Sequence, residues 1–113
     1  MPAAVRLRRA MGRGASLRGC AVITRAEALR LARVSRQMYG MRREPSTVDG
    51  SRVSLACPLD VKHHPYRRAH RIIVWHKHWE RVTAPMIGAA FVEHYRSEYP
   101  EERCPALAQE GVR

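Results

Sequence analysis

Apolar residues recur at helical spacing in three stretches of the chain. Between residues 25 and 39, Ala28, Leu31, Ala32, Ser35, Met38 and Tyr39 share one side, while Arg25, Arg30, Arg33 and Arg36 occupy the other. Thr24-Arg25-Ala26-Glu27 ahead of them is a capping box, in which the hydroxyl accepts from a first-turn amide and Glu27 reaches back to the cap. Gly40 stands where a left-handed residue ends a helix. The pattern predicts a helix over 25–39.

The second stretch, HHPYRRAHRIIVWHKHWERV at 63–82, holds five of the six histidines and both tryptophans. Ile72, Trp75, Trp79 and Val82 follow an i, i+3, i+7, i+10 pattern, and Arg67, His70, Val74, Lys77 and Arg81 fall opposite. Pro65 suits a first helical turn, where its missing N–H has no partner to lose. A strand would make Ile72, Ile73, Val74 and Trp75 apolar on both faces, so the spacing predicts a helix over 66–82. A third helix, 85–98, opens with Thr83-Ala84-Pro85, carries Ile87, Gly88, Phe91, Val92, Tyr95 and Tyr99, and stops at Pro100.

Between the first two helices the pattern changes. Glu44-Pro45-Ser46 halts a helix, and Asp49-Gly50 is a turn dipeptide. Val53, Leu55 and Cys57 alternate with polar neighbours, which makes 52–57 a strand candidate with its plausible partner around 46–49. The expected fold is therefore mainly α: a small three-helix domain with a short β-hairpin or loop between helices 1 and 2. Its core is expected to be Leu31, Met38, Ile72, Trp75, Trp79, Ile87 and Phe91. Residues 1–22 form a basic, disordered arm in this reading, 23–100 a single helical domain, and 101–113 a flexible tail.

Charge changes the picture more than length does. The 113 residues carry a net charge of +11, with nineteen arginines against two lysines. Residues 1–43 contain eleven Arg and one acid, Glu27, whereas the segment after residue 81 is mildly acidic. Such a distribution suits an anionic partner: nucleic acid, an acidic protein or anionic lipid. The bland alternative is GC-rich codon usage, since the chain has no Asn at all. Residues 1–20 leave three readings open: a basic arm, an Arg-rich mitochondrial transit peptide, or an over-extended start. A cytoplasmic location follows from the first and third, the mitochondrial matrix from the second. No apolar run is long enough to span a membrane.

Candidate chemistry is sparse. Cys20, Cys57 and Cys104 are far apart and form no C-x-x-C, against a disulfide framework or a self-contained zinc ribbon. Cys57, His63 and His64 are close in sequence and are the weak metal candidates, toward which His70, His76, His78, His94 and Cys104 could fold. An HNH-type nuclease reading lacks its Asn, and the Cys57-Pro58 and Cys104-Pro105 dipeptides are slender support for a haem-responsive thiolate. There is no G-x-S-x-G elbow and no phosphate-binding glycine motif, so the residues point to no enzyme and no cofactor. The tight junction between the second and third helices invites a helix-turn-helix reading, but helix 85–98 offers a poor base-reading face.

The functional expectation is a non-enzymatic protein that holds nucleic acid by charge, with little sequence discrimination. Arg25, Arg30, Arg33 and Arg36 on the first helix and Arg67, His70, Lys77 and Arg81 on the second are the residues expected to meet phosphate. A helical module for an acidic protein partner is the alternative, and a zinc-binding protein the third.

Overall fold

The computed structural model describes residues 23–45 and 51–110. The expected arm at 1–22, the Asp49-Gly50 turn and the proposed partner strand at 46–49 lie outside the described residues. Those that are described fall into two units, Ile23–Arg103 and a second to which residues 104–110 belong.

Within the first unit the order is α1 (Arg25–Met38), β1 (Met41–Pro45), β2 (Ser51–Ala56), α2 (Pro58–His63), β3 (Arg71–His76) and α3 (Ala84–Arg96). Short 3-10 turns occupy Trp79–Arg81 and Pro100–Glu102. The second unit holds α4 (Leu107–Glu110). The mainly α expectation is thus corrected: a three-stranded antiparallel sheet, in the order β1-β2-β3, stands beside the helices.

α1 forms for the local reasons its sequence offers. Thr24 Oγ1 accepts from the Glu27 amide at 3.0 Å. At the other end Gly40, with φ +75°, donates to the Ser35 carbonyl at 3.0 Å and turns the chain directly into β1. Ala28, Leu31, Ala32 and Ser35 are buried, but Met38 is 71% exposed and no part of the core.

The larger correction concerns residues 66–82. Ile72-Ile73-Val74 is a β-branched run that packs poorly in a helix turn and well on a pleated surface. It forms β3, with Val53 opposite Val74 and Leu55 opposite Ile72. Those four side chains make the inner face of the sheet and are buried. The residues between them, Ser54 and Ile73, belong to the outer face, as do Arg52 and Trp75. The apolar residues on both faces, which argue against a strand in the sequence, reflect one buried face and a second on which Ile73 is half-buried and Trp75 open. Trp75 is 62% exposed and Trp79 38%, so the expected tryptophan core does not exist. Pro65 lies in the turn after α2 instead of opening a helix.

The strand expected at 52–57 is present as β2, yet its partners are β1 and β3, pairing Arg43 with Val53 and Val53 with Val74. α3 matches its prediction closely: Pro85 sits in its first turn, and Ile87, Phe91 and Tyr95 are buried. A Cβ built on Gly88 would lie 2.8 Å from Leu29 Cδ2, which shows how closely α1 and α3 approach. Ser35 ties the layers together by donating from Oγ to the Ala56 carbonyl at 2.6 Å in a buried setting.

Candidate metal centre

The junction of β2 and α2 begins the site. Cys57 follows the last residue of β2 and is the N-cap position of α2, where Pro58 fixes the first turn. Its amide donates to the His70 carbonyl at 3.1 Å, closing the 57–70 segment on itself. Its side chain has no exposed surface, and its Sγ lies 3.0 Å from the hydroxyl of Tyr95, itself fully buried on α3.

Asp60, in the first turn of α2, is buried and satisfied on both carboxylate oxygens. Oδ1 accepts from Arg67 Nη2 at 2.9 Å, and Oδ2 accepts from the His70 amide at 2.7 Å. Oδ2 also lies 3.0 Å from His70 Nδ1. A carboxylate there fixes the imidazole with its proton on Nδ1 and presents Nε2 as a lone pair. That Nε2 faces Nε2 of His94, from the last turn of α3, at 3.0 Å.

Cys57 Sγ and the two histidine rings each offer one ligand atom, and these atoms lie within 4.8 Å of one another. Two nitrogens on one tetrahedral zinc stand about 3.3 Å apart, and a nitrogen and a thiolate about 3.6 Å, from Zn–N and Zn–S bonds of about 2.0–2.1 and 2.3 Å. The spacing fits a zinc-sized ion with small movements. The electrostatics agree. A hydrogen bond with Cys57 raises the pKa of His70 above its ordinary value, burial opposes that shift, and the charges of Cys57 and Asp60 reinforce it. The surroundings of His70 therefore favour its charged form.

A thiol beside an imidazole oriented by a carboxylate also has the components of nucleophilic catalysis. Cys57 is fully enclosed, however, and an attacking sulfur must reach its substrate.

The expected residues are distributed differently. Arg25, Arg30, Arg33 and Arg36 line the exposed side of α1 as anticipated, with Arg30 engaged by Glu27. Arg67, His70, Lys77 and Arg81 form no helical row: Arg67 is bonded to Asp60, His70 is in the ligand cluster, and Lys77 and Arg81 are exposed beyond the end of β3. Of the three weak metal candidates, Cys57 belongs to the cluster, while His63 and His64, at the end of α2, do not. Sequence reasoning named His94 only as a residue that could fold inward and His70 chiefly as a phosphate contact, and it missed Asp60 and Tyr95. An Asp in the first turn of a proline-started helix was the available signal for the former.

Compared with known proteins, the chain matches no family model, no curated protein and no solved structure.

Proposed function

We propose that the protein is a zinc-binding domain in which Cys57, His70 and His94 hold a structural ion. The observation that carries this reading is the convergence of two imidazole nitrogens at 3.0 Å, one of them backed by a buried carboxylate. Neutral imidazole with a thiolate is a borderline-soft ligand set that suits zinc, and a carboxylate behind a ligand histidine is the usual way of fixing its ring. The ion would join the β2–α2 junction, the start of β3 and the end of α3, three places distant in sequence.

Native mass spectrometry of the full chain after zinc addition and desalting tests the reading. One zinc per chain is expected, with loss on Cys57→Ser or His94→Ala. Cobalt substitution should give the intense visible bands of a tetrahedral site with a sulfur-to-metal transition. A wild-type chain that takes up neither ion sinks the proposal.

A further inference from the structure

The outer face of the sheet has a composition that the metal centre does not explain. Arg42 on β1, Arg52 on β2 and Arg71 on β3 all project from it, by the alternation that places Val53, Leu55, Ile72 and Val74 inside. The single acid among them is Glu44, which pairs with Arg42 at 2.9 Å and Arg52 at 3.8 Å and accepts from Ser54. Three guanidinium groups therefore meet one carboxylate. The imbalance is felt at Arg71, whose pKa is lowered by burial first and then by the like charges of Arg42 and Arg68.

These guanidiniums are positioned. Arg71 donates from Nε to Ser54 Oγ at 3.0 Å and from Nη2 to the Ser54 carbonyl at 2.8 Å. Arg52 lies over the Trp75 ring, 5.1 Å from its centroid. Its Nε is buried with no hydrogen-bond partner among the described residues. Trp75 itself, directly opposite Arg52 in the ladder, is 62% exposed on a strand where a polar residue would cost less.

We infer that the outer face of the β1-β2-β3 sheet is a binding surface for single-stranded nucleic acid, with Trp75 stacking a base and Arg42, Arg52 and Arg71 meeting phosphates. A sheet face carrying one open indole among fixed cations rewards a ligand that presents both an unstacked planar ring and a chain of anions. A duplex offers the anions but keeps its bases stacked. An acidic peptide offers the anions and gives the indole little. This surface replaces the helix rows as the place where phosphate is met. It is independent of the zinc reading, because it shares no residue with the ligand cluster.

The test uses the full chain, whose Arg6, Arg8, Arg9, Arg13 and Arg18 give any polyanion a non-specific background. Fluorescence anisotropy with labelled oligo(dT), oligo(U), a duplex of equal length and a poly-glutamate peptide measures affinity at several salt concentrations. The single strands are expected to bind more tightly than duplex or peptide, and the two single-stranded arms show whether DNA or RNA is preferred. Trp75→Ala should weaken single-strand binding about ten-fold or more, leave duplex binding unchanged, and be largely rescued by Trp75→Phe. Arg52→Ala should reduce the log–log salt slope by about 0.7. Because Trp75 is exposed, the alanine variant should melt at the wild-type temperature. Equal affinity of wild type and folded Trp75→Ala for single strands overturns the inference, as does tightest binding of the duplex or the peptide. A wild-type dimer in sedimentation that Trp75→Ala dissociates, with single-strand affinity unchanged, assigns the face to self-association and also overturns it.

Discussion

His70 Nε2 and His94 Nε2 face each other at 3.0 Å, although the two residues are 24 positions apart and belong to a strand edge and a helix end. Two neutral imidazoles can share one proton at that distance. A cation held between the same two nitrogens would take the place of that proton.

In the proposed zinc centre, Asp60 would determine how well His70 serves as a ligand. Asp60→Asn keeps the side-chain shape but gives up the charge that orients Nδ1 and pairs with Arg67. A loss of about 10- to 100-fold in zinc affinity is expected, read by competition with a chromophoric chelator. Unchanged affinity would mean that the ring is held by other contacts.

The pH response should change sign with metal. In chelator-treated protein, His70 has a folded pKa raised above its ordinary 6.5, chiefly through its hydrogen bond with Cys57. Its contribution to stability is then fully present below about 6.5 and is lost as the pH climbs through the raised folded value. Thermal melts in EDTA should therefore be higher at about pH 6 than at about pH 8, where His70 alone is concerned. With zinc bound the order should invert, because protons compete with the ion for thiolate and imidazole. Melts with and without chelator across this window check both limbs.

Ser35→Ala removes the buried donor that α1 offers to the Ala56 carbonyl, one residue before Cys57. Leaving that acceptor unsatisfied should cost about 1–3 kcal/mol in urea denaturation. The metal affinity of the variant should fall less than that of Asp60→Asn.

Gly40→Ala places a Cβ at φ +75°, where the surrounding space is open but the backbone is strained. A destabilisation of about 1 kcal/mol is expected, partly recovered by Gly40→Asn, which tolerates the left-handed region. Equal stability of all three variants would show that the turn into β1 relaxes freely.

What the sequence disclosed was local. Thr24, Glu27 and Gly40 define α1 through contacts within a few residues, and Thr83-Ala84-Pro85 announces α3 in the same way. β3 was misread because its pairing is not local: Ile72 and Val74 lie opposite Leu55 and Val53, seventeen and twenty-one positions earlier, and nothing in a helical-period count contains that information. The i, i+3, i+7 spacing of Ile72, Trp75 and Trp79 was real but put one core residue on a level with two that face solvent. The ligand cluster was hidden for the same reason. His70 and His94 meet only after α3 has packed against β3.

The backbone bond from the Cys57 amide to the His70 carbonyl, and the grip of Asp60 on the His70 amide, hold two ligands in register by protein contacts alone. An ion bound as proposed would therefore arrive at a seat that is already laid out, with little chain ordering to offset its capture. Unlike a zinc finger, which collapses on demetallation, this domain should keep its sheet when stripped. The change should be confined to the far end of α3, which would open and close as the ion leaves and returns.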